Sequence, residues 1–517
     1  MTTPANKPQG VTYRHAEHGY FEKRQLRRYA GVGTLWGLAI ATVVSGNFFG
    51  WNFGLTAGGF GGMLVAVLIA FALYMTLTLC VAEMSAAMPH TGGAYSFGRS
   101  AMGPWGGFVT GVAETIVYVG ASATVAVGIG GYVSGIAEST IGLTLPQPLW
   151  WLVFYGIFVL INVAGVEQAM KFAMAMALVS IAVLVVFWVG AVPHFDLQNA
   201  LNVPVEPGGN AWFPSGIKGV FFAIPFAAWL FLAIESLPLT AEESNVPGRA
   251  IPRATMLGML TLSIMAILTV TLSAGTAPGA AAVGESAEPL NEGFKTIFGS
   301  IAAPVLALLA VIGLVTSFHG VIFAYGRNIY SLARAGYYPT VLSVTHGKRR
   351  TPHTALIAGS VVGYGLAALL HYFGTGSVGA ALLSMSVFGA VIAYVMQLIS
   401  FVRLRRIMPH VERPFRSPLG IVGAVLGGAL TVLMGVALFW NPDNRAGVVG
   451  IAVAYLLAIV YFALVGRKRL VLSPEEQYAM TRGEVDHDAG KVERELDVPG
   501  SEDDARGSSS ATTQAKP

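Results

Sequence analysis

Four residues interrupt the first apolar run of the sequence and suit a binding site within a membrane. Gly46, Asn47, Gly50 and Asn52 lie between two stretches that are typical of lipid-facing helix. Glycine weakens a helix by roughly 1 kcal/mol relative to alanine, and asparagine side chains offer the backbone competing hydrogen bonds. Backbone freed inside a bilayer is tolerated only where protein covers it or where it lines a cavity. The pattern predicts a broken helix that forms a solute or ion site. Close packing through small residues is the alternative, and it explains the glycines but not the asparagines.

A second interruption lies five apolar runs later, between Gly219 and Glu235. Pro225 removes a backbone donor and clashes with the preceding helical turn. Glu235 places a carboxylate near the end of a run that is otherwise typical of a buried helix. Interrupted segments at corresponding places in two halves of a chain indicate the site of a secondary transporter.

Three titratable residues in apolar runs are candidates for cation or proton chemistry. Glu235 is the first candidate, because a buried carboxylate needs a compensating charge, which a substrate ammonium would supply. A backbone cap or a permanent ion pair with another helix is the alternative. Glu114 either faces the same site or carries a coupling proton. His319 is a further proton carrier candidate, because an unperturbed histidine titrates near neutrality, and a satisfied core histidine is its alternative.

The composition indicates an integral membrane protein. Of 517 residues, 54% are hydrophobic and 11% are charged, whereas roughly a quarter of the residues in soluble domains are charged. The net charge of +4 is a weak indication of nucleic acid binding, because the basic residues lie in short loops between apolar runs. The single cysteine, Cys80, excludes an intramolecular disulfide. No serine–histidine–acid or metal-ligand spacing is present in the sequence, so we expect neither an enzyme nor a bound metal or cofactor.

Twelve membrane spans of about 20 residues or more are expected, which makes the chain an all-α bundle. The predicted spans are 31–57, 61–82, 104–136, 149–165, 169–190, 216–236, 254–275, 301–325, 354–373, 377–401, 420–440 and 447–466. Lysine and arginine concentrate in the N-terminal segment 1–30, in alternate loops and after the last span. Both termini are therefore expected in the cytoplasm. The N-terminal segment lacks the short apolar core of a removable signal peptide.

The two breaks also predict how the membrane core is organised. Five spans separate them, and an odd number inverts the topology between two halves. Inverted repeats are therefore expected over about 31–190 and 216–401, with two further helices over 420–466 completing a transporter core of 31–466. The remaining residues, 467–517, are rich in Glu, Asp, Gly and Ser, and we expect a disordered cytoplasmic tail.

Four segments resemble the amino acid–polyamine–organocation (APC) transporter superfamily, in order and at the spacing of that family. They are Ser45–Gly50, Glu83–Tyr95, Ile234–Ala254 and Tyr325–Pro339. The resemblance implies the LeuT-like fold of five-plus-five inverted repeats with helices 1 and 6 interrupted, secondary transport and alternating access. Within the family, Asn47–Gly54 and Ser317–Asn328 resemble the ethanolamine permease branch.

The sequence departs from the amino acid transporters of this family at two places. Where they typically carry a small triplet such as Gly-Ser-Gly, this chain has Gly50-Trp51-Asn52. The family's small residues let backbone N–H groups at a half-helix end hold a substrate carboxylate. Trp51 would fill that space and Asn52 would offer an amide instead. Ser180 stands where several proton-coupled relatives carry a lysine, so the coupling device of those relatives is not expected here. Because of its position, Ser180 is a coupling candidate together with Glu114 and His319.

The resulting expectation is a plasma-membrane permease that imports a small organic amine, ethanolamine first, by alternating access. The predicted solute-binding residues are Ser45, Gly46, Asn47, Gly50, Trp51, Asn52, Phe226, Trp229 and Glu235. Glu235 and backbone carbonyls would receive the ammonium, and Asn47 or Asn52 the hydroxyl. Trp229, at the family's aromatic gate position, would cover the ammonium through a cation–π contact of about 0.5–2 kcal/mol, or it is an ordinary packing residue.

Further expectations concern the gate, the coupling ion and the alternatives. The candidate cytoplasmic gate residues, with loop ordering as their alternative role, are Glu83, Glu242, Arg253 and Arg327. A proton is expected as coupling ion rather than sodium, and the bilayer and a small amine are the expected partners. An amino acid permease of the same family is the first alternative. A channel or a transport-like receptor is the second, and nothing in the sequence recommends an intramembrane enzyme.

Overall fold

The structure is a computed structural model, and it describes residues 10–14, 20–21, 23–24, 26, 28–299, 303–347, 349–374, 377–442 and 445–483. Within these ranges the chain is a helical bundle with one parallel pair of short strands. In chain order the elements are β1 Tyr13–Arg14, α1 Val32–Val43, α2 Phe53–Ala87, α3 Ala94–Ile141, α4 Gln147–Ala164, α5 Val166–Ala191, α6 Leu197–Ala200, α7 Gly216–Trp229, α8 Pro247–Gly275, α9 Ala280–Glu285, α10 Pro289–Phe298, α11 Ala303–Arg334, α12 His353–Phe373, α13 Val378–Ile407, α14 Gly420–Trp440, α15 Arg445–Leu464, β2 Leu470–Val471 and α16 Pro474–Thr481. The 3₁₀ helices are Val44–Asn47, Val192–His194, Ile234–Glu243, Thr340–Ser343 and Gly466–Lys468.

Eleven helices in the described part of the chain are long and apolar enough to cross a membrane. A shorter apolar helical segment, Val32–Asn47, precedes them and covers most of the first predicted span. This segment is short because the helix breaks where the sequence analysis placed the first interruption. The chain is therefore an all-α, multi-pass membrane protein, and the count of twelve spans and the inverted repeats stay predictions.

Two of the long elements, α2 and α3, each contain a glycine with a non-helical backbone, at which two helical stretches meet in a kink. Gly59 has φ +66 within α2, so two helical stretches meet at a sharp kink where the sequence predicts the loop between the first two spans. Gly103 has φ +79 within α3, immediately before Pro104. Only glycine adopts such angles without strain. A helical stretch therefore precedes the predicted third span, which begins at residue 104.

The helices divide into an inner and an outer set. Most of the apolar stretch of α3 and of α11 is buried, so these helices lie in the middle of the bundle. In contrast, α4, α12 and α15 expose large aliphatic side chains such as Leu160, Val361 and Leu457. An apolar exterior of this kind is costly in water but is covered by lipid chains in a bilayer.

The two terminal segments meet at one end of the bundle, which we call the terminal face. Strand β1 pairs in parallel with β2, with Tyr13 opposite Leu470. The prediction that a disordered tail begins at residue 467 is wrong for residues 467–483, because these residues form a 3₁₀ turn, β2 and α16 against the bundle. Composition misled here because the acidic residues of this segment are buried in ion pairs. Residues 484–517 lie outside the described residues.

Candidate functional site

Both predicted helix breaks are present, and the second lies further along the chain than its proline suggested. Helix α1 ends at Val43, and the chain passes through a 3₁₀ turn and an irregular turn before α2 begins at Phe53. Pro225 is accommodated inside α7, which continues to Trp229. The second break is the turn that follows, and it ends at Ala233, a non-glycine residue with φ +81. The strained backbone at Ala233, rather than the proline, marks this interruption.

Trp229 joins the two breaks. Its indole Nε1 donates a hydrogen bond of 3.0 Å to the carbonyl oxygen of Phe49. A Cβ atom on Gly46 would lie 2.7 Å from the Trp229 carbonyl oxygen, so only glycine permits this approach. Gly50 has φ +95, and a Cβ atom there would lie 2.9 Å from the Trp229 ring nitrogen. Gly46 and Gly50 therefore allow the two breaks to approach each other closely. This agrees with the packing alternative that the sequence analysis gave for the glycines.

A small cavity lies between the breaks. Its lining residues are Thr42, Val43, Ser45, Ala121, Val125, Trp229, Leu232, Ala233 and Val321. Its volume is about 10 Å³, which is room for about one water molecule. None of the lining side chains is charged, so any polar solute would be held by hydroxyl and backbone groups. A solute larger than water requires the breaks to move apart.

The predicted polar residues of the first break divide between the cavity and the surrounding protein. Ser45 lines the cavity, and its backbone N–H donates a bond of 2.7 Å to Ser317 Oγ. Asn47 is fully buried, and within the described ranges neither atom of its side-chain amide has a hydrogen-bond partner. A buried amide without a partner costs free energy, so Asn47 remains a candidate for binding a polar group.

Asn52 does not face the cavity, which departs from its predicted role as ligand of a solute hydroxyl. Its Oδ1 accepts a hydrogen bond of 3.0 Å from the Gly50 N–H. Its Nδ2 donates to the carbonyl oxygens of Val283, Gly284 and Ser286, at 3.0, 3.2 and 3.0 Å. These residues belong to α9 and the turn after it. Asn52 therefore fastens this loop to the first break, at the end of the bundle opposite the terminal face.

The aromatic candidates Trp51 and Phe226 also lie outside the cavity lining. Trp51 is fully buried, and its Nε1 has no partner among the described residues. Phe226 packs edge-on against Phe53, with ring centroids 6.0 Å apart. Their positions fit packing around the breaks, whereas Trp229 lines the cavity and fits the predicted cover.

The two membrane carboxylates form a cluster with three tyrosines. Tyr118 donates a hydrogen bond of 3.2 Å to Glu114 Oε1. The Tyr394 hydroxyl interacts with Glu235 and lies 3.1 Å from the Tyr74 hydroxyl. Glu114 and Glu235 are close enough to interact electrostatically.

Within the described residues, neither carboxylate of this cluster forms an ion pair. One oxygen of each carboxylate, Oε2, has no hydrogen-bond partner in the part of the chain described. No lysine, arginine or histidine of the described residues forms an ion pair with either group. The permanent ion pair considered for Glu235 is therefore not observed in the part of the chain that the structure describes. Neither carboxylate lines the cavity, although Glu235 follows the lining residue Ala233 by two positions.

His319 and Ser180 occupy satisfied core positions. His319 Nε2 lies 2.8 Å from the Ala169 carbonyl oxygen, and Nδ1 lies 3.0 Å from Asn162 Nδ2. A neutral ring that donates from Nε2 and accepts at Nδ1 satisfies both contacts. Ser180 Oγ bonds the Met176 carbonyl oxygen at 2.8 Å and lies 3.0 Å from Thr316 Oγ1. Both residues fit the structural alternative rather than a proton carrier.

The gate candidate Glu83 anchors a connecting segment at the end of α2. It is buried and accepts bonds from Arg405 Nε at 2.9 Å and Arg405 Nη2 at 2.5 Å. Arg413 Nε lies 3.2 Å from the same carboxylate, and the Ser417 N–H donates to it at 2.7 Å. Glu83 therefore ties the segment after α13 to α2.

The other gate candidates form ion pairs next to the second break, with one exception. Arg327 Nη2 and Glu243 Oε1 form a fully buried pair at 2.9 Å. Glu242 pairs with Arg334 at 2.6 Å. Arg253 is exposed on α8 and does not join this cluster. Sequence reasoning missed the partners Glu243 and Arg334, although both lie inside or beside the conspicuous motifs.

Acidic residues of α16 are the clearest functional group that the sequence analysis missed. Glu475 and Glu476 are buried and pair with Arg334 and Arg99. No local signal in the polar tail indicates burial.

Comparisons with known proteins place these features in context. A family model described as amino acid permease matches residues 32–469. An uncharacterized transporter of Rhizobium meliloti is 28% identical over 65% of this chain and 71% of its own length. A branched-chain amino acid permease of Bacillus subtilis is 23% identical over 87% of this chain and 96% of its own. A D-serine/D-alanine/glycine transporter of Escherichia coli is 23% identical over 82% and 91% of the two chains.

Proposed function

Because this chain belongs to the amino acid permease family, we propose that it is a secondary transporter for a small amino compound, with a small neutral amino acid as the first candidate. The observation that carries the proposal is the small cavity that residues of both helix breaks line. Interrupted helices at the middle of the membrane are the binding elements of secondary transporters. Relatives that are named for branched-chain amino acids and for D-serine, D-alanine and glycine support this solute class.

The residues that line the cavity offer a small solute hydroxyl and backbone groups rather than charged side chains. Ser45 and Thr42 offer hydroxyl groups, and the turn before Ala233 offers backbone groups of a non-helical segment. Trp229 closes one side as an aromatic cover. Because the cavity has room for about one water molecule, binding of even alanine requires the breaks to separate. We propose that this separation is the alternating-access movement.

Glu235 and Glu114 supply the charge that the cavity lacks. We propose that Glu235, two residues beyond the cavity, attracts the amino group of the solute, and that Glu114 takes up the coupling proton. Unpaired buried carboxylates in membrane spans are functional candidates because leaving them charged without a partner is costly. Their free Oε2 atoms support both roles. Import across the plasma membrane, driven by protons rather than sodium, with both termini in the cytoplasm, completes the proposal.

Ethanolamine is the second candidate solute, and one observation favours it. The Asn52 side chain accepts the hydrogen bond of the Gly50 N–H. The resemblance implies that amino acid transporters use backbone N–H groups at this place to hold a carboxylate. A solute without a carboxylate needs no such group. The names of the relatives, in contrast, include amino acid transporters, so the amino acid reading comes first.

Uptake into proteoliposomes tests the proposal. The purified protein is reconstituted, and radiolabelled alanine and radiolabelled ethanolamine are supplied separately, with unlabelled glycine, alanine, leucine, ethanolamine and arginine as competitors. Saturable alanine uptake that glycine blocks and that an inward proton gradient stimulates is expected. Uptake of ethanolamine alone would favour the second candidate. Failure of every amino compound to accumulate or compete, in liposomes with correctly folded protein, would refute the proposed solute class.

A further inference from the structure

We propose that residues 470–481, which contain β2 and α16 and which we call the strap, lock the terminal face shut and must be released before the solute path opens at this face. The proposal rests on the proposed transport function, because a lock is meaningful only if the bundle opens. The strap was expected to be part of a disordered tail. Instead it is bound to the bundle by buried charged groups.

Glu476 is the centre of the strap's attachment. Its Oε1 accepts hydrogen bonds from Tyr95 at 2.7 Å and Tyr337 at 2.9 Å. Its Oε2 accepts from Tyr13 at 2.7 Å and from Arg99 Nε at 2.5 Å. The glutamate side chain is fully buried, so four donors replace its water shell. Burial raises the pKa of the Tyr13 hydroxyl, and the nearby Glu476 carboxylate raises it further. Tyr13 therefore stays protonated and donates the hydrogen bond.

Glu475 connects the strap to the segment that follows the second break. It pairs with Arg334, the last residue of α11. The same guanidinium binds both oxygens of Glu242, at 2.6 and 3.1 Å. Glu242 lies in the 3₁₀ helix that begins immediately after Ala233. Through Arg334 the strap therefore fixes the continuation of the break that lines the cavity.

Other contacts attach the strap to both predicted repeats. The Val471 N–H donates to the Ala335 carbonyl oxygen at 2.9 Å, beyond the end of α11. The Tyr478 hydroxyl donates to the Ala87 carbonyl oxygen at 3.3 Å, at the end of α2, and its ring packs edge-on against His90. The strap thus bridges residues near 87–99 and residues near 334–337. If these two groups separate during transport, its carboxylates cannot remain bound to both.

The strap's charged contacts suit a releasable lock. A buried carboxylate is stable only while its donors stay in place. Once the donors move apart, water can solvate the glutamates, arginines and tyrosines alike. An opening bundle and a bound strap are therefore mutually exclusive states, and a signal that displaces the strap would shift the population toward opening at this face.

The test measures opening directly, without any transported solute. Ser331 is fully buried in α11 near the terminal face, so Ser331→Cys in a Cys80→Ala background reports access from this face. The rate of alkylation by a water-soluble maleimide is compared between this protein and the same protein carrying Glu475→Gln and Glu476→Gln. A matched control carries Glu138→Gln and Glu285→Gln, which remove two exposed carboxylates. We expect alkylation to accelerate about tenfold in the strap variant and to stay unchanged in the control.

A milder variant keeps the test decisive if the protein that carries Glu475→Gln and Glu476→Gln misfolds. Tyr95→Phe with Tyr337→Phe removes two donors to Glu476 and keeps both rings. Faster alkylation in this variant, with a monodisperse and folded protein, supports the strap. An unchanged rate in either folded variant overturns it. Because alkylation needs no solute, failure of the uptake experiment would refute the transport proposal separately.

Discussion

The Trp229 indole donates a hydrogen bond of 3.0 Å to the Phe49 carbonyl oxygen, and this bond links the two broken helices. Phe49 lies in the turn between α1 and α2, where its carbonyl has left the helical pattern. A freed carbonyl within the membrane needs a donor from elsewhere in the protein. Trp229 supplies that donor and also lines the cavity, so the same side chain couples the shape of both breaks to the candidate site.

Replacing Trp229 by phenylalanine should impair transport while leaving the protein folded. The ring remains as a cover, but the Phe49 carbonyl loses a donor, and leaving a buried acceptor unsatisfied costs about 1–3 kcal/mol. We expect initial uptake of the transported solute to fall about tenfold in proteoliposomes. Trp188→Phe is the matched control, because the Trp188 Nε1 donates to Thr269 at 3.2 Å away from the cavity. Equal losses in the two variants would contradict a specific role for Trp229.

Asn52→Ala should change solute preference. The substitution frees the Gly50 N–H, to which a carboxylate could then bind, and it releases three carbonyl oxygens of the α9 segment. We expect alanine to compete several-fold better relative to ethanolamine than in the unmodified protein. The ratio of the two half-inhibitory concentrations is the measurement.

The control for this substitution is Asn202→Ala. Asn202 also fastens the α9 segment, through the Pro278 carbonyl oxygen at 2.9 Å and the Ala281 N–H at 2.9 Å, but it does not touch the break. If Asn202→Ala shifts the competition ratio as much as Asn52→Ala, the loop rather than the Gly50 N–H sets the preference.

Glu235→Gln and Glu114→Gln should have separable effects. Loss of the Glu235 charge should raise the half-saturating concentration of an amino solute at least tenfold while a proton gradient still stimulates uptake. Loss of the Glu114 carboxylate should abolish stimulation by the gradient, because an amide cannot take up the proton. Uptake with and without an imposed gradient measures both. Glu167→Gln, at an exposed surface pair, should behave like the unmodified protein. The same defect in both cluster variants would argue against divided roles.

Glu243→Gln should destabilise the fold because it leaves Arg327 buried without its anionic partner. Removing one partner of a buried ion pair typically costs about 3–5 kcal/mol. We expect a clearly lower melting temperature in detergent, measured by tryptophan fluorescence. Glu292→Gln removes the partner of Lys295 in an exposed pair, and such pairs contribute about 0–1 kcal/mol. A melting temperature for Glu243→Gln as high as that of Glu292→Gln would contradict a stabilising role of the Arg327 pair.

The first break could be predicted from sequence because its cause is local. Gly46 and Asn47 disfavour helix by their own chemistry, so their positions alone mark the interruption. The second break was placed only approximately, since Pro225 is tolerated within α7 and the strained residue is Ala233. An alanine carries no sequence signal for a left-handed backbone conformation.

The roles of individual side chains depended on contacts that a sequence does not contain. Asn52 was expected to bind solute, but its partners are carbonyl oxygens more than 200 residues away. Glu475 and Glu476 lie in a stretch whose composition indicates disorder, yet tertiary pairing with Arg334 and Arg99 buries them. Polar composition predicts disorder only where no buried partner of opposite charge exists elsewhere in the fold.

Protection of a cysteine at position 45 tests most directly whether the solute binds between the two breaks. Ser45→Cys in the Cys80→Ala background is alkylated in proteoliposomes with a small methanethiosulfonate reagent, with and without a saturating concentration of the transported solute. Ser139→Cys, at an exposed position near the end of α3, is the control. We predict that solute slows the reaction at position 45 at least fivefold and leaves position 139 unchanged. An unchanged rate at position 45, with a solute that the same variant transports, would place the binding site elsewhere.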